Sequence, residues 1–452
     1  MLEGARDPIG AHAARLAAVT MRERAFPGKL NLFQRMMLRW RSLHPYNAVH
    51  VARVARAFDA ELARERIAAT LARWGIGGFT LDAARRRYVY RGGVVAPQVD
   101  VLECASPSDG ERVLAAEIAR QLNTPFELGE PLRFFVVRMR DAFLLGVAYD
   151  HFLAGGDSVA ALLGAIIVAM MRDEARGVAA VDPPSLYPPT YARLLRTHTR
   201  WFVAALAAMP ALMRESKHAL RTHDRDADDP RNAYVLIRVA PTDAAALRRQ
   251  AADFGVTLHD LVIALLLRSL SPFAAARHAQ RTRRGIAVAS IVNIRKDFGG
   301  IDASAFGQLL ASLRVMHPVP EGIGIAELAR DVRSATLPIK RRHLYLRTLF
   351  GLAAASCAWP LMSDRQRSRF YAKHHPAWAG VSMLDVDPLW PAAAGSAQSY
   401  TRGVSTGPLT PAVLAISTTA AEISIGVSWR PTALSNDFPE RLRAEIEQCA
   451  RD

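Results

Sequence analysis

One segment limits what this chain can fold into more than any other. The run Ala142-Phe143-Leu144-Leu145-Gly146-Val147-Ala148 reads as a buried strand, and Val159 to Met171 reads as an uncharged, strongly apolar helix. Both elements must be covered by the rest of the chain. Between them lies Tyr149-Asp150-His151-Phe152-Leu153-Ala154-Gly155-Gly156-Asp157-Ser158, a tight connection that carries a histidine at the strand end. Gly155 and Gly156 are expected to supply the backbone angles of the reversal, and Asp157 or Ser158 to cap the helix. A histidine held at a strand end and opening onto a cleft suits a general base, one that takes a proton from a hydroxyl or amine. A partly buried structural histidine beside an ordinary strand–turn–helix is the competing reading of a single such residue.

The segment resembles the active-site motif of the CoA-dependent acyltransferase and condensation-domain superfamily, His-His-x-x-x-Asp-Gly with a serine two residues on, in which the second histidine is catalytic. Asp150 stands in the place of the first histidine, His151 matches the catalytic one, Gly156 the glycine and Ser158 the serine. Gly155 replaces the family aspartate, which pairs with an arginine and shapes the loop. Asp157 is the nearby carboxylate available for that role, or alternatively a helix cap.

The resemblance runs along most of the chain. Leu30-Asn31-Leu32-Phe33-Gln34, followed by Tyr46-Asn47 and Val49, Val51 and Val54, resembles the family's opening helix and first strand. Thr124-Pro125-Phe126-Glu127 and Pro131-Leu132-Arg133-Phe134 are similar to the segment that precedes the histidine strand. Gly255 to Ala264 resembles a threonine-capped buried helix, which makes His259 an early helix residue. Ile286 to Ile294 reads as a strand ending at Arg295, the candidate for the family arginine or else a solvated charge. Phe306-Gly307-Gln308 leads into a strand from Leu310 to Met316. Gly380 to Asp385 takes the place of a serine-asparagine strand; Met383 replaces the asparagine, leaving Ser382 or backbone amides as the oxyanion candidate. Val413–Thr418, Ile423–Trp429 and 434–446 read as a hairpin and closing helix.

The resemblance implies an α/β (α+β) chain of two chloramphenicol acetyltransferase-like lobes, each a mixed sheet backed by helices, with a tunnel between them. The 452 residues fit two lobes of about 200 residues each. Their expected bounds are 1–180 for the lobe with the histidine, 181–232 for a crossover linker marked by Pro183-Pro184, Pro188-Pro189 and the charged Arg221–Arg231 stretch, and 233–452 for the second lobe.

Cys104, Cys357 and Cys449 lack metal or disulfide spacing, so no metal site is expected. No apolar leader opens the sequence, so a cytoplasmic protein is the expected reading. The 58 Lys and Arg against 42 Asp and Glu give a net charge of +16 without a nucleic-acid-binding signature. That excess suits the phosphates of CoA or of a phosphopantetheinyl carrier protein, or an anionic membrane surface, and it also fits an arginine-rich composition with no functional meaning. Apolar stretches at 201–213 and 349–362, each next to basic residues, are the candidates for peripheral membrane contact or for helices packed between the lobes. The expected activity is acyl transfer from a CoA or carrier-protein thioester, as co-substrate, to a hydroxyl or amine acceptor, with His151 as general base and no bound cofactor. A catalytically decayed binding or scaffold protein is the alternative, resting on Gly155 and Met383.

Overall fold

The structure is a computed structural model that describes residues 25–82, 84–91, 97–104, 109–171, 186, 190–226, 228–299, 305–390, 399–420 and 422–452. Seven strands occupy the first part of the chain: β1 (Ala25–Lys29), β2 (Asn47–Val54), β3 (Gly78–Asp82), β4 (Arg87–Arg91), β5 (Val99–Glu103), β6 (Leu132–Arg138) and β7 (Phe143–Asp150). Seven follow: β8 (Ala233–Val239), β9 (Ile286–Asn293), β10 (Leu310–His317), β11 (Ala379–Asp385), β12 (Tyr400–Val404), β13 (Ala412–Thr418) and β14 (Ile423–Trp429). They form two mixed sheets, ordered β12-β2-β7-β6-β5 and β10-β9-β11-β13-β14-β8, and a small antiparallel sheet β1-β4-β3. The expected α/β architecture of two mixed sheets backed by helices is what the chain adopts.

The apolar patterns explain the layers. Every residue of β7 is buried, because one face of its sheet packs against the helices Ala60–Trp74 and Gly156–Met171 and the other against the helix Asp109–Asn123. The helix Gly156–Met171 is apolar all round and is buried nearly all round. Truncating its Leu162, which is 0% exposed, removes contacts worth about 2–5 kcal/mol. In the second sheet the equivalent layer is the helix Leu258–Leu270, opened by Thr257, whose side chain accepts from the amide of Asp260 in a reciprocal capping box.

The two large sheets are stitched by β12. This strand lies between β11 and β13 in sequence, yet it pairs antiparallel with β2 in the other sheet. Its backbone also presses on β14, where a Cβ at Gly426 would sit 1.8 Å from the Arg402 carbonyl oxygen; only a bare α-carbon allows that approach. The seam between the sheets is where the histidine segment emerges. Pro183-Pro184 and Pro188-Pro189 lie outside the described residues; the Arg221–Arg231 stretch, which is described except for residue 227, has neither helix nor strand and leads into β8.

Among the described residues no single helix is long and apolar enough to cross a membrane. Both apolar stretches are mixed. In the second, Leu349, Leu352, Ala355 and Trp359 are packed in the interior and Leu361 is exposed; in the first, Phe202 and Ala205 are buried and Val203, Leu206 and Met213 are exposed.

Candidate functional site

His151 directly follows β7, its amide donating to the Tyr46 carbonyl at 3.0 Å and its ring tilted over Tyr46 at a centroid distance of 5.3 Å. The side chain lines a cavity of about 270 Å³ at the seam between the sheets, with Tyr46, His50, Tyr149, Gly156, Asp157, Ser382, Met383 and Arg402 also in its wall. Burial pushes the imidazole down to about 4, and the nearby Arg402 charge pushes the same way, while the Ala154 carbonyl opposes them. At neutral pH the ring is therefore unprotonated and able to accept a proton.

The loop carrying His151 is held from the opposite sheet. Gln308 donates through Nε2 to the carbonyls of His151 and, at 2.5 Å, of Ala154, and the same nitrogen lies 3.4 Å from His151 Nδ1. The Gly155 amide donates to the Gly307 carbonyl at 3.0 Å. Arg295, on the turn after β9, donates to Ser158 Oγ (2.7 Å) and to the carbonyls of Ala305 (2.6 Å) and Gly307 (3.0 Å). It is 4% exposed, so it is a buried brace rather than a solvated charge.

The carboxylate of Asp157 lies 3.4 Å from Arg295 Nε and accepts from Asn293. A Cβ built at Gly155 would meet Arg295 Nη2 at 3.5 Å, so an acidic side chain there would face the same guanidinium. Asp157 reaches from two residues further on to the arginine that a carboxylate at position 155 would meet. Two local expectations are corrected. The helix starts at Gly156, before Asp157 and Ser158, and the Ser158 hydroxyl is spent on residues 305–307, so neither residue is the cap. Gly155 and Gly156 do not use left-handed angles. Their lack of a side chain instead permits close approach, to the Gly307 carbonyl (3.4 Å) and to Arg402 Nη1 (3.1 Å).

Asp150 points away from His151 and forms a buried ion pair with Arg41 at 2.9 Å. Burial raises its carboxyl to about 6, against the pull of Arg41. Ser382 lines the cavity, but its carbonyl and hydroxyl engage Arg402 at 2.9 and 3.4 Å. Sequence reasoning passed over Arg402 and His50. Arg402, 2% exposed, is also bound by Ser417 Oγ at 3.1 Å and by the Ile416 carbonyl at 2.5 Å. His50, on β2, contacts Tyr400 Oη at 2.7 Å and Tyr149 Oη at 3.3 Å, and burial holds its pKa well below the ordinary value. The signal available for both was a charged or polar residue inside an apolar strand.

His259 lies in the first turn of the helix Leu258–Leu270, with Nε2 2.8 Å from Ser290 Oγ. It lines a second, more open cavity of about 790 Å³ that shares Ile291, Asn293 and Met383 with the first. Among the described residues no group of His, Cys, Asp and Glu is arranged to hold a metal ion, and no disulfide links any of the three cysteines.

No family model matches the sequence, and no curated protein matches it. Solved structures do share its fold. The first condensation domain of the calcium-dependent antibiotic synthetase, solved in complex with a substrate analogue, superposes with a TM-score of 0.66 at 16% identity, covering 94% of this chain and 97% of that one. The epimerization domain from the third module of tyrocidine synthetase B gives 0.62 at 11% identity, over 95% of this chain and 98% of that one. The X-domain from teicoplanin biosynthesis gives 0.58 at 15% identity, over 94% and 95%. The chain has the fold of condensation domains.

Proposed function

We propose that this protein transfers an acyl group from a CoA or carrier-protein thioester to a hydroxyl or amine, with His151 as general base. The observation that carries the reading is the His151 imidazole in the wall of a cavity at the seam of the sheets, on a loop held by Gln308 and by the Arg295–Ser158–Asp157 network. The ring would take the proton of the nucleophile as it attacks the thioester carbonyl. It would return that proton to the leaving thiolate, so the proton count closes within one turnover. Ser382 and the neighbouring Arg402 are the groups available near a developing oxyanion. The basic charge of the chain supports either phosphate-bearing donor.

The test is free-thiol release from acyl-CoAs of increasing chain length, with and without small alcohol and amine acceptors, for the wild type and His151→Ala. Acceptor-dependent release by the wild type alone is expected. Release that is equal in both proteins removes His151 from the chemistry.

A decayed binding protein is the second reading, favoured by the absence of a carboxylate at Gly155. The Asp157–Arg295 contact weighs against it, because the brace is still present. Peripheral membrane contact is proposed for the helix Thr199–Ala207 and its neighbour Met209–His218, where exposed Val203, Leu206 and Met213 lie among Arg200, Arg214 and Lys217. Co-flotation with anionic but not neutral vesicles is expected; no flotation with either discards it.

A further inference from the structure

The cavity that holds His151 has a second charged region, built from different elements. Arg314 projects from β10 and Arg347 opens the helix Arg347–Ala358; both line the cavity, together with His375. Arg347 is 5% exposed, and its Nη2 is buried without a hydrogen-bond partner. The Arg314 side chain is 9% exposed, its Nε is likewise buried and unpartnered, and its other contacts are long: 3.4 Å to the Leu212 carbonyl and 3.8 Å to Glu215. Burial lowers the pKa of both guanidiniums; Glu215 opposes it for both, and for Arg314 the neighbouring Arg347 adds a smaller push downward. His375 is pushed down to about 4 by burial and then by Arg314, so it contributes an N–H donor and no charge.

Two buried guanidiniums in one cavity wall, one within reach of the other's charge and, among the described residues, with Glu215 3.8 Å from Arg314 as their carboxylate, are an expensive arrangement for a purely structural purpose. Unpartnered N–H groups on both make it more so. An oxyanion bound in the cavity would resolve both problems, since it supplies negative charge and the acceptors that a guanidinium fork matches. We propose that Arg314 and Arg347 form a receptor for an oxyanion, a carboxylate or a phosphate, carried by a molecule that occupies the His151 cavity. The remaining wall is largely apolar, including Leu313, Leu352 and Val413, so the ligand pairs that anion with an apolar body.

The inference takes the cavity as the reaction chamber but needs no role for His151, so it is tested by binding without turnover. The probes are octanoate, octyl phosphate and 1-octanol, titrated calorimetrically at low salt into the wild type, Arg314→Gln and Arg347→Gln. At least one anion is expected to bind about tenfold or more tighter than 1-octanol, and each substitution to abolish that preference. Tighter octanoate points to a carboxylate on acceptor or acyl chain, and tighter octyl phosphate to a phosphorylated arm or acceptor. Equal binding of all three probes by the wild type, or an anion preference that survives in both variants, overturns the proposal.

A second measurement guards against unfolded variants. Arg347→Met removes one of two mutually repelling buried charges, so it should melt at or above the wild-type temperature, and inorganic phosphate should raise the melting temperature of the wild type alone. A marked fall in the melting temperature of Arg347→Met, with no phosphate effect on the wild type, would make Arg347 a structural residue. A protein that binds the anions yet releases no thiol leaves this inference intact and defeats the acyl-transfer reading; an active protein with no anion preference does the reverse.

Discussion

His151 and His259 look alike by one measure and unlike by every other. Burial brings each imidazole down to about 4, aided by Arg402 in the first case and Lys340 in the second, and each lines a cavity. His259, however, is a first-turn helix residue whose Nε2 is already engaged by Ser290 Oγ at 2.8 Å. His151 sits on a loop gripped through its backbone by the opposite sheet, with its Nδ1 3.4 Å from Gln308 Nε2 and its ring bonded to the Ala154 carbonyl. A depressed pKa records burial; a ring in the wall of a cavity at the seam of the sheets, on a rigid loop, is what acid–base work requires.

The sharpest way to break this contrast is to remove each ring. His151→Ala is expected to lower acyl transfer by about 10²–10⁴-fold, and His259→Ala by only a few-fold, in the same steady-state thiol-release assay.

The pH response separates chemistry from stability. Because the His151 pKa lies near 4, turnover should stay flat from neutral pH down to about 5, with no step near the ordinary histidine value of about 6.5. Stability should behave differently. Both histidines are neutral in the fold but take protons once unfolded below about 6.5, so unfolding gains protons and stability declines as pH falls from there towards 4. Asp150, raised to about 6, acts with the opposite sign over the lower part of that window, and is a single group against the buried histidines. Denaturant melts at pH 7 and 5 check the sign.

The braces differ in kind as well. Arg295→Met takes one donor each from Ser158 and the Ala305 and Gly307 carbonyls and leaves the Asp157 carboxylate without its cation, for an expected loss of about 3 kcal/mol in urea unfolding and a parallel loss of turnover. Thr257→Ala removes only the cap of the His259 helix, for about 1 kcal/mol, with turnover unchanged. Gly155→Asp should have the smallest effect. Asp157 already reaches Arg295, so a second carboxylate is expected to change activity by less than about tenfold. A hundredfold gain would show that Asp157 does not serve in its place.

How much of this was legible in the sequence depended on how local the determining physics is. The apolar β7 strand, the helix after His151, and the Thr257–Asp260 capping box are set by neighbouring residues, and the structure has them within a few positions of the expected bounds. The closing helix starts at Phe438, slightly later than the pattern suggested. The path of β12 was not legible, because Tyr400-Thr401-Arg402-Gly403-Val404 carries no mark of which sheet it joins; its pairing with β2 and its close approach to Gly426 of β14 are both long-range. The site divides in the same way. His151 and Arg295 were readable by resemblance, whereas the Asp157–Arg295 contact, the capture of Ser382 by Arg402 and the Arg314–Arg347 pair depend on side chains far apart in sequence.

The most direct test of the central claim is a side-by-side measurement of acceptor-dependent thiol release by wild type, His151→Ala and His259→Ala, all shown to be folded by their melting curves. The account predicts that only the His151 variant falls by two orders of magnitude or more, about the worth of a general base. Unchanged release by His151→Ala, or an equal fall in the His259 variant, would contradict it.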